Sequence, residues 1–174
     1  RRFILHSSTL ILLAIVLTTG YRLFALEQLE RVVAEEMKLH DDAITLQNLR
    51  YHTTQIQQYL TDASLTGDAD AISEAKQHQA STLPLLDELS KLDLGALTEL
   101  LKQQVSVGQQ MVSAYNQGDK REGDRLMKAS GIGFDAISDE INTKVERALS
   151  LQTDRMEASQ AIAEAGQLHI RRVE

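Results

Sequence analysis

The sequence predicts an all-α chain, an antiparallel up-down-up-down four-helix bundle with long first and last helices, preceded by a transmembrane helix. Three observations predict it. The 174 residues hold one proline and nine glycines, so few positions interrupt a helix. Aromatic residues make up only 4%, with no tryptophan, and β-branched residues beyond the first segment are scattered, never more than two in a row, which leaves little that reads as strand. Apolar residues recur at spacings of three and four between glycine-containing breakers, the period of a helix seam.

The first element is apolar. Arg1 and Arg2 precede a run from Phe3 to Phe24 in which every residue between Leu10 and Leu17 is apolar. A helix over residues 3–24 reaches about 33 Å, close to the hydrocarbon thickness of a bilayer. Its polar members are mild, His6 and several hydroxyl residues, and hydroxyls bond back to helix carbonyls. Tyr21 and Arg22 suit an interface. No small-x-small cleavage pattern precedes Tyr21 and the helical pattern continues past it, which favours an uncleaved span over a signal peptide. Residues 1–24 are therefore expected to be a transmembrane helix in the inner or cell membrane. The positive-inside rule leaves Arg1 and Arg2 in the cytoplasm, and residues 25–174 form a periplasmic or extracellular sensor domain.

The first bundle helix continues to about Thr66, with a seam of Leu46, Leu49, Thr53, Ile56, Leu60 and Ala63, and Gly67-Asp68 breaks it. The second is expected from about Asp70 to Lys91, with Ala71, Ala75, His78, Thr82, Leu85 and Leu89 on one stripe. Pro84 inside that stripe predicts a kink or restart near Thr82. The third is expected from about Ala96 to Gln117, with Leu97, Leu101, Gln104, Gly108, Met111 and Tyr115 inward. A short polar turn of helix spans Lys120 to Ala129, and Gly131 and Gly133 break again. The fourth begins near Phe134, is marked by Phe134, Ile137, Ile141, Val145 and Ala148, and meets no breaker before Ala165.

The first and last helices are about twice as long as the two between them. Measured from Gly67 back to Tyr21, the first would extend about 70 Å, more than the short helices can cover. The membrane-proximal halves then need a second copy to bury their stripes, so a homodimer is expected. A second span is expected where the chain stops, which reads as a fragment of a longer receptor.

Composition excludes several functions. A net charge of −7 argues against a nucleic-acid partner, which needs a basic stripe. Absence of cysteine removes disulfides, thiolate metal sites and a cysteine nucleophile. Gly131-Ile132-Gly133 lacks the lysine and preceding strand of a phosphate loop. Glu36–His40 and Glu74–His78 are spaced i, i+4, whereas a bundle di-iron site needs i, i+3. No catalytic residues are expected, and the chain is read as a non-enzyme.

The segment from Leu49 to Ser64, together with Gly118-Asp119, Leu126-Met127 and Gly133-Phe134-Asp135, resembles the sensor domains of bacterial chemoreceptors, the methyl-accepting chemotaxis proteins. The resemblance covers nearly the whole chain. It implies a homodimeric ligand-binding domain, with ligand near the dimer interface between first- and fourth-helix residues. The signal then passes by small helix displacement to a cytoplasmic signalling region of the same receptor. The same module also serves histidine kinases and cyclic-dinucleotide enzymes. Aligned arginines like those of aspartate receptors are missing, since the distal first helix holds only Arg50.

His52, Gln55, Tyr59 and Asp62 fall on one polar stripe beside the seam. Such a stripe serves a solvated face, a partner subunit or a ligand. Arg50 is a candidate for binding a small anion bidentately, two copies clamping it across a dimer axis. The plainer reading is a surface arginine paired with a helix neighbour. The ligand-binding candidates are thus Arg50, His52, Gln55 and Tyr59. His52 and His78 lie about 6 Å apart in height across an antiparallel pair, within reach of a shared haem or metal. The plainer reading of His78 is a core hydrogen bond, with Gln55 as partner.

The leading expectation is a ligand-sensing input domain with no resident cofactor. The alternatives are a haem- or metal-binding redox or gas sensor through His52 and His78, and a structural bundle without ligand. Polar or small seam residues, Thr53, Gln104 and Gly108, are expected to bring two packings close in energy.

Overall fold

A computed structural model describes residues 2–92 and 94–173, with side chains at 12–13, 15–92 and 94–164. The described residues are all-α: α1 (Arg2–Thr66), α2 (Ala69–Glu88), α3 (Leu97–Asn116), α4 (Lys120–Lys128) and α5 (Phe134–Val173). They form two units. One comprises the residues up to Leu39 and from Met156 onward, and the other spans His40–Arg155.

Local chemistry sets the boundaries in the larger unit. Gly67 ends α1 at φ 76°, its N–H donating to Ala63 O at 2.9 Å. A left-handed residue there closes the last turn, and glycine adopts it without a Cβ penalty. Asp68 then caps α2, its carboxylate accepting from Asp70 N at 2.9 Å. Gly118 at φ 80° repeats the device after α3, and Asp119 caps α4 by accepting from Glu122 N at 3.0 Å.

The seam of the first helix is buried throughout, from Leu46 to Ala63. Leu49, Ile56 and Leu60 of α1 share one core with Ala75 of α2, Leu97, Leu101, Val105 and Met111 of α3, and Phe134, Ile137, Ile141 and Val145 of α5. Four expected inward residues, His78, Leu85, Tyr115 and Ala148, are only half-buried.

One expectation about α2 is corrected, and of the kink or restart expected near Thr82 the restart is not seen. The helix ends at Glu88 rather than near Lys91, because Ser90 N turns back to Asp87 O and Leu92 N to Leu89 O. Pro84 does not restart it: α2 runs through the proline, with Thr82 fully buried and its hydroxyl donating to Gln79 O at 2.7 Å.

In the smaller unit, large apolar side chains of α1 face outward, among them Leu13, Leu17, Tyr21, Leu23 and Phe24. Among the described residues no helix is long and apolar enough to cross a membrane. Much of the expected span, residues 3–11 and 14, has side chains outside the described ones.

Candidate functional site

The polar stripe of α1 meets α2 at one point. His52 and His78 are both half-buried, and their Nδ1 atoms lie 2.8 Å apart. The expected partner Gln55 is not involved: its amide donates to Gln58 Oε1 at 3.4 Å, so the core-hydrogen-bond reading of His78 is corrected from Gln55 to His52. Two tyrosines of α1 frame the pair. The Tyr59 ring stacks on His78 at 5.5 Å, and Tyr51 meets both imidazoles edge-on at 5.3 and 5.8 Å.

This placement follows from helix geometry. His52 and Tyr59 are seven residues apart and so nearly eclipsed on α1. The Gly67-Asp68 turn folds α2 back so that His78 arrives at the height of His52.

A 2.8 Å contact between two imidazole nitrogens needs one proton between them. One ring donates Nδ1–H and the other accepts with its lone pair. A neutral or singly protonated pair satisfies this, whereas a doubly protonated pair sets N–H against N–H. Burial, and then the charge of His78, hold His52 below the usual histidine range.

The arrangement does not fit a haem iron between the rings, which would need nitrogens roughly 4 Å apart with a porphyrin plane between them. A tetrahedral metal would find two ligands of four. Among the described residues no group of three or more His, Asp or Glu gathers to hold an ion.

Arg50 and Asp62 are exposed and stand apart from the pair. Arg50 does not join the ion pairs of the described residues, which are Arg31–Glu27, Lys102–Glu99, Arg125–Glu122 and Lys144–Glu140. The helix-neighbour ion pair expected for it is therefore not formed. Its backbone carbonyl accepts the Thr53 and Thr54 hydroxyls, both at 2.9 Å.

Sequence reasoning missed Tyr51, because an exposed aromatic beside a histidine carries no periodic signal. It also missed a second feature of the larger unit, a cavity of about 430 Å³ against α5 lined by Lys91, Lys144, Arg147 and Arg155. A signal existed in part, since Lys144, Arg147 and Arg155 share one side of α5.

Comparison with models of protein families, with characterised proteins and with solved structures gave no match for this chain.

Proposed function

We propose that the chain is the ligand-sensing input domain of a transmembrane chemoreceptor. In this reading residues 3–24 cross the inner membrane. Residues 25–174 form an extracytoplasmic up-down-up-down four-helix bundle that works as a homodimer and binds rather than transforms its ligand.

The observation that carries the reading is the mismatch of helix lengths. α2 and α3 have 20 residues each, against 65 in α1 and 40 in α5, and the core of the larger unit draws on all four. The remaining stretch of α1 carries outward apolar side chains, with Tyr21 69% and Phe24 59% exposed. Apolar surface of that extent is stable under lipid or a second copy, not in water. Further along α1, Leu29, Val33 and Met37 are exposed in the same way and suit a partner helix. A ligand that favours one packing of such a dimer shifts its population and moves α5 by a small displacement.

The test is a chimera that joins the chain to the cytoplasmic signalling region of a chemoreceptor with known kinase output. Kinase activity in membranes would be read against nitrate, carboxylates, amino acids and haemin. A saturable change with one compound is the expected result. A chimera that sediments with membranes, folds and couples to the kinase yet responds to none of them would overturn direct sensing. A chain that stays out of the membrane would sink the receptor reading itself.

A further inference from the structure

The cavity beside the α2–α3 turn has a chemistry of its own. Lys91 reaches it from the turn, and Lys144, Arg147 and Arg155 from α5. Four cations converge there in a chain whose net charge is −7, and no carboxylate lines the cavity among the described residues. The acidic neighbours on α5, Glu146 and Asp154, are turned about 100° from Arg147 and Arg155 along the helix.

Among the described residues only Lys144 of these four has an ion pair, a long one of 3.7 Å to Glu140. Like charges at i, i+3, as at Lys144 and Arg147, destabilise a helix when nothing lies between them. The rest of the lining is not a random surface. Leu94 is buried and Leu92 and Ala148 are half-buried, which gives the cavity an apolar wall. Gln152 closes its back at 1% exposure, with its amide turned to Asp42 at 3.5 Å.

From this geometry we infer that the cavity is a binding site for a small organic anion carrying two or more carboxylates. Two guanidinium groups eight residues apart on α5 offer forks that each accept one carboxylate bidentately. The two lysines supply point charges on either side, and Leu92, Leu94 and Ala148 contact the hydrocarbon between the acidic groups. An inorganic anion would use the cations and waste the apolar wall. The site is separate from the His52–His78 pair and from Arg50. It deepens the sensing reading by naming a ligand class, and the binding itself is measured without any signalling output.

The experiment is calorimetric titration of the full chain, in non-ionic detergent, with citrate, inorganic phosphate and sodium chloride at matched ionic strength. Saturable binding of citrate at least tenfold tighter than phosphate is expected. Arg147→Gln with Arg155→Gln should weaken citrate tenfold or more. Lys91→Gln, on a different element, should weaken it by a smaller factor, and Arg50→Ala should leave it unchanged. These side chains are exposed or half-buried, and thermal melts without citrate check that each variant folds. Absence of saturable citrate binding overturns the site, as does an affinity unchanged in the double arginine variant. Equal binding of phosphate and citrate overturns the carboxylate assignment. If citrate binds as expected and the kinase chimera stays silent to it, the site stands and the sensing role falls.

Discussion

The Nδ1 atoms of His52 and His78 lie 2.8 Å apart, and a second proton on the pair would set N–H against N–H, which makes the contact between α1 and α2 sensitive to acid. His52 is held below the ordinary histidine value by burial and by His78. Between that lowered value and about 6.5 the unfolded chain binds more protons than the folded one, so stability rises with pH through this window. The contribution is complete above the unfolded value and is lost as pH falls through the folded one. The Tyr51 and Tyr59 rings also face the pair. Melting curves from pH 8 to pH 5 should therefore fall in Tm at the acid end. His78→Gln should flatten that part of the profile, and an unchanged slope would show that the pair does not govern it.

Gly108 of α3 marks the closest approach of the core. A methyl group there would lie 2.6 Å from Leu60 Cδ1 and 3.0 Å from Phe134 Cε2, and both of those side chains are buried. Alanine gains about 1 kcal/mol of helix propensity over glycine. Overpacking a full core costs about 1–3 kcal/mol. Gly108→Ala should thus destabilise the domain by up to about 2 kcal/mol in denaturant unfolding. Adding Leu60→Val removes the nearest atom, so the two changes should couple favourably in a double-mutant cycle. Strict additivity would place the strain elsewhere.

The seams were legible because their signal is local. Leu46 to Ala63 repeats at three and four, and Gly67 supplies the left-handed turn that ends it. The meeting of His52 with His78 was nearly legible, because heights on two helices joined by a short turn follow from counting back to Gly67. Which partner His78 takes was not, since Gln55 and His52 lie on the same stripe and only side-chain geometry separates them. The cationic cavity was least legible. Lys91 sits on a turn whose start depends on where α2 stops, and that boundary is set by carbonyls at Asp87 and Leu89. Pro84 signalled a kink or a restart, and α2 runs through it without a restart.

Tyr115 ties α3 to α4. Its hydroxyl donates to Asp124 Oδ1 at 2.7 Å, and its ring lies against Gly123, where a methyl group would come within 2.7 Å. Burial first, then the hydrogen bond to Asp124, then the charges of Asp124 and Asp135 push the phenol up to about 12. The folded form keeps the proton that the unfolded chain loses above about 10, so the contribution is complete below that pH and is lost as pH rises through the folded value. Tyr115→Phe should cost about 1 kcal/mol at neutral pH. It should also remove the alkaline fall in stability between about 10 and 12. Gly123→Ala should expel the ring and destabilise by more than Tyr115→Phe. A smaller effect would show that α4 moves away freely.

Gln104 is the polar flaw in the core. It is 1% exposed, and its amide donates to Ser138 Oγ at 2.9 Å, while its Oε1 has no partner. Ser138 already donates to Phe134 O at 2.8 Å and keeps that bond without Gln104. Gln104→Leu therefore gives up one ordinary hydrogen bond, removes an unpaired buried carbonyl and adds apolar burial, for a net gain of about 1 kcal/mol. Thr53 differs. Its hydroxyl is satisfied by Arg50 O at 2.9 Å and the site is 1% exposed, so leucine would overpack it and Thr53→Val is the shape-preserving change. If such seam residues keep two packings close in energy, Gln104→Leu should raise Tm and abolish the ligand response of the kinase chimera while leaving binding intact. A raised Tm with an unchanged response would separate the two properties and show that the switching element lies outside the α3–α5 seam.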